Sequence, residues 1–381
     1  MMLFKELLLL NLLSIATAQS PTSLTDALGS QNSSLSSLNT LLQQNPQYLS
    51  ALGSTQNVTF LAPNNDAVAA FMNSTNSSSS SLSPGDLGAL LSYHVLNGTY
   101  YPSNITNTSQ FIPTQLLNTT FTNLTDGQRV ECLTRDNNVT FISALKQNIS
   151  AVNGNVNFTN GTIYIVNGVL SIPQNLTNTL TNANLTAAVG AINAANQTTN
   201  LTQLSNATIF APNNQAFYAI GSLLGNQTTD QLKGITGYHV VNGTVAYSPD
   251  LKNQTLRAQN GEDINISVIN GTVFANSARV TVPDVLYGNG VVHVIDQVLN
   301  PSNTTASPNP SATTAGPAYP GASSDTTGFP FTSGVTTPTS TYPAATSAGG
   351  GTPARGAAAP MQTGAVHYAA LFGGAAMLAN L

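Results

Sequence analysis

Few side chains in this sequence are equipped for chemistry, and their spacing argues against it. There are four histidines, His94, His239, His293 and His367, and one cysteine, Cys132. No two histidines stand at the His-x-x-x-His spacing that puts two imidazoles on one helix face around a metal. The three glutamates and eleven aspartates are scattered singly, without the paired carboxylates of general acid–base catalysis. No Gly-x-Ser-x-Gly elbow and no phosphate-binding glycine loop occurs. The expectation is a non-enzymatic protein with no metal and no cofactor. Cys132 lies in an alternating run with Val130 and Thr134, which predicts a buried strand position; the alternatives are a reactive or intermolecular thiol. A single cysteine permits no internal disulfide, so stability must come from packing.

Two of the histidines recur in one setting. Leu87, Leu90, Leu91 and His94 follow at i, i+3, i+4 and i+7, and Leu232, Ile235 and His239 take the corresponding positions later in the chain. An apolar stripe that ends in histidine predicts an amphipathic helix closed by a mostly buried imidazole. The first of these helices starts with Ser83 as N-cap, Pro84 in the first helical position and Asp86 in the third; the second has the capping-box pair Thr228 and Gln231. Both run out alike, as Tyr93-His94-Val95-Leu96-Asn97-Gly98-Thr99 and Tyr238-His239-Val240-Val241-Asn242-Gly243-Thr244, with Asn-Gly read as a helix-stopping and turn-forming pair.

The elements that must position these helices are also duplicated. Asn57-Val58-Thr59-Phe60-Leu61-Ala62-Pro63-Asn64-Asn65-Asp66-Ala67-Val68-Ala69-Ala70-Phe71 recurs as Asn206-Ala207-Thr208-Ile209-Phe210-Ala211-Pro212-Asn213-Asn214-Gln215-Ala216-Phe217-Tyr218-Ala219-Ile220. The β-branched and aromatic run reads as a buried strand, and proline, lacking an N–H, ends its ladder. The second asparagine is expected to cap a helix whose Val68 and Phe71, or Phe217 and Ile220, share one face. Upstream, Leu24, Leu28, Leu35, Leu38, Leu41 and Leu42 suggest helical packing. Downstream, Asn260-Gly261 and Asn270-Gly271 separate short strands as hairpin turns. Each repeat closes on a hydrophobic strand pair, in Gly161–Leu170 and Gly290–Leu299.

The signature block, the Tyr-His pair and the closing block, in order and twice, resemble the fasciclin family over most of residues 23–301. The second closing block is the nearer match; the first has Tyr164 in place of histidine and Asn167 in place of aspartate. The resemblance implies an α+β fold: two tandem fasciclin-like domains, each a small β-sandwich or wedge with packed α-helices, over residues 19–172 and 173–301. It also implies adhesion. The family is linked to adhesion around its Tyr-His pair, which makes Tyr93, His94, Tyr238 and His239 candidate contact residues. Some animal members carry an Asp-Ile pair like an integrin contact, and here Asp284 and Val285 take that place as an exposed acid beside an aliphatic; the alternative is a purely structural pair, since an acid followed by an aliphatic is common before a strand. The first repeat departs, with Asn155 at that point.

Composition bounds the setting. Charged residues are 6 % of the chain, against about 25 % in a typical soluble domain. Roughly two dozen Asn-x-Ser/Thr sequons supply the missing hydration as glycans. Asn57, Asn97, Asn160, Asn206, Asn242 and Asn270 are candidates beside the repeated motifs, and Asn97 and Asn242 would shield the histidine corners. The net charge of −5 with scattered basic residues argues against nucleic acid as a partner. Residues 1–18 fit a secretory signal peptide ending in Ala16-Thr17-Ala18. Residues 302–355, rich in Ser, Thr, Pro and Gly, read as a disordered O-glycosylated stalk that would reach well over about 100 Å at ~3 Å per residue. Residues 356–381 have the layout of a glycosylphosphatidylinositol attachment signal, with Gly356 as the attachment residue and Gly349-Gly350-Gly351 as its rival; a weak membrane helix or a plain tail is the alternative. The expected function is a lipid-anchored surface glycoprotein. Its partner would be a cell-surface or matrix protein, a wall polysaccharide or a second copy of itself. The alternatives are a wall spacer without a specific partner and a glycan- or lipid-binding module.

Overall fold

The computed structural model describes residues 22–75, 82–152, 154–312, 316–324, 330–332 and 334–336. The signal-peptide segment, Gly356 and the attachment signal lie outside the described residues. The first module opens with helices α1 (Leu24–Ser30), α2 (Asn32–Gln44) and α3 (Pro46–Ser54). Strand β1 (Val58–Pro63) then leads into α4 (Asn65–Thr75) and α5 (Pro84–Tyr93). Seven strands follow: β2 (Val95–Asn97), β3 (Gln110–Pro113), β4 (Arg129–Arg135), β5 (Asn138–Ile142), β6 (Asn148–Ser150), β7 (Val156–Phe158) and β8 (Gly161–Val166). The second module repeats the plan with α6 (Leu176–Asn182), α7 (Thr186–Ala194), α8 (Thr198–Thr202), β9 (Ala207–Pro212), α9 (Asn214–Ala219), α10 (Gly221–Leu224) and α11 (Thr229–Tyr238). Its remaining strands are β10 (Val240–Val241), β11 (Gln254–Arg257), β12 (Asp263–Ile269), β13 (Thr272–Ala275), β14 (Ala278–Tyr287) and β15 (Gly290–Ile295).

The signature strand lies inside a sheet in both modules. Sheet order is β2-β1-β8-β7 in the first and β10-β9-β15-β14-β13-β12-β11 in the second. β1 runs parallel to β8, with Val58 opposite Gly161, and β9 parallel to β15, with Ala207 opposite Gly290. Strands paired on both sides and covered on both faces must be apolar throughout, as β1 and β9 are. Val58, Phe60 and Ala62 face the helices with Ile163 and Ile165, whereas Leu61 faces the second sheet with Tyr164 and Val166. The second sheet of the first module, β3-β4-β5-β6, meets the first through single bridges at Leu96–Thr114 and Ala151–Val166. In the second module β14 spans both halves, bending at irregularities between Val280 and Val285. The glycine that opens each closing strand is required by space: a Cβ would lie 1.9 Å from the Val58 carbonyl oxygen at Gly161, and 1.8 Å from that of Ala207 at Gly290.

Three local expectations are corrected. The helix cap is the first asparagine of each pair: Asn64 and Asn213 accept the N–H of Ala67 and Ala216, each at 2.8 Å. The second asparagine is freed for a longer reach, Asn65 Oδ1 taking the Ser37 N–H and Asn214 Oδ1 the Ala187 N–H. The histidine helices stop before Asn-Gly, at Tyr93 and Tyr238, because the next residues already pair with the signature strand. Gly98 and Gly243, at φ +113° and +78°, turn the chain after that pairing. Each closing block is one strand followed by a bend, since β8 ends at Val166 and β15 at Ile295.

Candidate functional site: the tyrosine–histidine corners and the Asp284 cluster

Each Tyr-His pair joins a helix end to two layers at once. Tyr93 and Tyr238 are fully buried, and their hydroxyls donate to the main-chain carbonyls of Arg129 (3.0 Å) and Asp263 (2.8 Å) in the outer strands. The next residue points the other way. His94 Nε2 accepts the Leu170 N–H at 3.0 Å, so the proton is on Nδ1, which donates to the Leu90 carbonyl at 2.7 Å. His239 repeats this with the Leu299 N–H at 2.9 Å and the Ile235 carbonyl at 2.8 Å. Burial lowers both imidazole pKa values from 6.5 to about 4, opposed by the bond to the helix carbonyl. Each ring is a neutral strut between its helix end and the chain beyond the closing strand.

Asp284 corrects a further expectation. It is not an exposed acid: Asp284 and Val285 are each 2 % exposed. Asp284 has φ +61° at the bend of β14, which turns its carboxylate inward. There it accepts the Ser248 N–H at 2.7 Å and the Ser248 hydroxyl. Its own N–H donates to His293 Nδ1 at 3.3 Å, and His293 Nε2–H donates to the Ala246 carbonyl at 2.8 Å. Burial pushes the His293 pKa down, while the nearby Asp284 carboxylate pulls it up. The serine bonds to the acid rather than to the imidazole, so the trio lacks the relay of a nucleophilic triad. Val285 packs into the helix-side core. Ser248 and His293 were not legible as partners, because they come together only through β14 and the turn after Tyr247.

The six candidate contact residues are thus held inside the modules, in three separate places. A partner could touch them directly only if the helix–sheet joints opened. Cys132 is buried in β4 as expected, and burial raises its thiol pKa, which keeps it protonated. Among the described residues no group of three or more His, Cys, Asp or Glu is placed to hold a metal ion. Of the six candidate glycan-bearing asparagines named above, Asn57, Asn242 and Asn270 are exposed. Asn97, Asn160 and Asn206 are half-buried, their side-chain amides donating to the Thr114 carbonyl, the Gly53 carbonyl and the Thr125 hydroxyl.

The family model described as fasciclin domain matches residues 33–173 and 183–301. The chain belongs to the fasciclin family. A fasciclin-like arabinogalactan protein of Arthroderma benhamiae is 36 % identical over 81 % of this chain and 74 % of its own length. The transforming growth factor-beta-induced protein ig-h3 of Sus scrofa is 34 % identical over 30 % of this chain and 17 % of its own. The solved FAS1 domain pair of the insect cell adhesion molecule fasciclin I covers 72 % of this chain and 99 % of its own, at 18 % identity and a TM-score of 0.35. Both fasciclin domains carry the tyrosine–histidine strut, whereas the Asp284–Ser248–His293 cluster belongs to the second. Among the described residues no helix is long and apolar enough to cross a membrane.

Proposed function

We propose that the chain is a secreted, glycosylphosphatidylinositol-anchored cell-surface glycoprotein that mediates adhesion, or contact with a cell wall or extracellular matrix, through its two fasciclin domains. The observation that carries this reading is the pairing of two fasciclin domains with a surface nearly empty of charge and studded with sequons. The groups that could have served catalysis are buried and bonded to main chain. Relatives named as fasciclin-like arabinogalactan proteins support a glycan-clad role. The anchor at Gly356 and the stalk before it would hold the domains away from the membrane.

Because the tyrosine, histidine and Asp284 side chains are internal, contact must use the outer surface. Its large exposed apolar side chains include Tyr101, Leu117 and Val152. The test is bead binding with native and deglycosylated protein against its own copies, its own cells and isolated wall polysaccharide. Binding that survives deglycosylation and falls on Leu117→Ser or Tyr101→Ser supports adhesion through the protein. Binding lost on deglycosylation alone assigns contact to the glycans. Negligible binding in every arm replaces adhesion with a spacer role.

A further inference from the structure

The helical face of the second fasciclin domain is short of side-chain volume. The shared asparagine reach sets the register between domains: Asn65 takes the Ser37 N–H in α2, and Asn214 takes the Ala187 N–H in α7. Leu35 and Leu185, both fully buried, match in that register. It follows that Leu38, Thr40 and Leu41 of α2 correspond to Ala188, Gly190 and Ala191 of α7. In the first domain the pocket beneath α2, α4 and α5 is lined by Leu38 and Leu41 and by Leu82, from the link between α4 and α5, and keeps a cavity of about 40 Å³. In the second domain the link from α10 to α11 is Gly225-Asn226-Gln227-Thr228, which offers no apolar side chain.

The missing volume comes from far down the chain. Phe331 enters the pocket among Ala188, Ala191, Phe217 and Ile235, its ring edge-on to Phe217 at 6.3 Å between centroids. A cavity of about 40 Å³ remains beside it. A Cβ added to Gly190 would lie 1.7 Å from the Phe331 carbonyl oxygen, so the helix admits this backbone only because residue 190 is glycine. Residues before Phe331 are tied down by polar contacts. The Tyr319 hydroxyl donates to the Leu299 carbonyl at 3.0 Å, and the Asn300 side-chain amide to the Ala318 carbonyl at 3.1 Å. Ser222 and Ser323 exchange two bonds, of 3.2 and 3.0 Å. Tyr319, Ala322 and Val335 also pack against the helix-side core.

We propose that this groove is a binding site for an aromatic-bearing extended peptide, and that its ligand is the chain's own C-terminal segment, bound in cis with Phe331 as its anchor. The stripped helix face and the seated segment are two halves of one device. Through it, the chain leaves the second domain from the helical face, and the free stalk starts past the strap rather than at residue 302. The inference stands on contacts within the chain and is independent of the adhesion reading.

The test uses the full chain and two substitutions on opposite sides of the contact. Gly190→Ala improves the intrinsic helix propensity of α7, yet its methyl collides with the strap. Phe331→Ala removes the anchor and leaves the domain untouched. Hydrogen exchange in residues 316–324 should quicken about tenfold or more in both, because a docked segment exchanges through local release. Binding of an apolar fluorescent dye should rise with it. A synthetic peptide of residues 316–336 should restore protection of α7 to the Phe331→Ala protein and fail with Gly190→Ala. Thr336→Ala, at an exposed position, should change neither readout. Exchange of 316–324 at free-peptide rates in the unaltered chain would overturn the proposal, as would an unchanged Gly190→Ala. Protection that disappears on dilution would assign the groove to a second copy and also overturn it.

Discussion

At His94 and His239 both ring nitrogens are committed to main-chain groups, one as donor and one as acceptor. A second proton would have to displace the Leu170 or Leu299 N–H, and burial opposes the charge. The folded pKa of about 4 lies below the value near 6.5 of an unfolded chain. The unfolded state therefore binds protons first as pH falls. The stabilisation is complete above about pH 6.5 and drains away toward pH 4, on the order of 3 kcal/mol per histidine at about 1.4 kcal/mol per unit. His293 shifts in the same direction and adds to the slope. Urea unfolding midpoints measured from pH 7.5 to 4.5 should decline steadily below neutrality. His94→Gln should cost ~2 kcal/mol at neutral pH, by orphaning a buried N–H, and flatten part of that slope; a variant with the full slope would remove the histidine from the account. Cys132 yields a simpler expectation. A thiol raised by burial should stay silent to a thiolate-selective reagent in the native protein and react once urea unfolds it.

The strand–corner–helix element works because its two asparagines divide the labour. Asn213 is a cap that needs only an acceptor. Asn214 needs both ends of its amide: Oδ1 takes the Ala187 N–H and Nδ2 donates to the Asn184 carbonyl. Asn213→Asp should be close to neutral, while Asn214→Asp should cost about 1–3 kcal/mol by placing a carboxylate against a carbonyl. Equal losses in chemical denaturation would contradict the division. This element also marks how far the sequence could be read. The strand, the helix caps at Ser83 and Thr228, the hairpins and the buried Cys132 are local in origin, and composition and spacing carried them. Which asparagine caps depends on where the chain leaves the parallel strand pair, a long-range fact. The inward turn of Asp284 depends on a bend in β14, and the acid-plus-aliphatic pattern carries no sign of it. Phe331 stands in a run of Ser, Thr, Pro and Gly that reads as stalk, and its contact with Gly190 of α7 is not legible in that composition. The signal was present in Ala188, Gly190 and Ala191, but only a comparison with Leu38, Thr40 and Leu41 makes it visible.

The two fasciclin domains meet at a joint that is polar and close-fitting. The turn after β14 lies against the loop between β3 and β4. The Thr122 hydroxyl donates to the Gly288 carbonyl at 2.7 Å, and the buried Gln128 amide donates to the Tyr287 carbonyl at 3.1 Å. Phe111 stacks on Tyr247 at 4.0 Å, and Gly288 fits closely, since a Cβ there would lie 3.1 Å from the Phe121 carbonyl oxygen and could enter only by a small shift of the joint. Side chains of one domain thus satisfy carbonyls of the other, and separating them would leave those groups to find water. The domains should therefore unfold together. Calorimetry of the full chain should show one transition whose enthalpy matches its van't Hoff value. Gln128→Ala, which leaves the Tyr287 carbonyl without its donor, should cost about 1–3 kcal/mol. Combined with Thr122→Val, it should split the single transition into two. Two transitions in the unaltered protein would mean that the joint is a hinge, and the pair would then offer a partner a range of orientations. A single transition means that the outer faces of both domains keep a fixed spacing. That geometry favours a partner with repeated sites, because the second contact then forms at high effective concentration without ordering a linker.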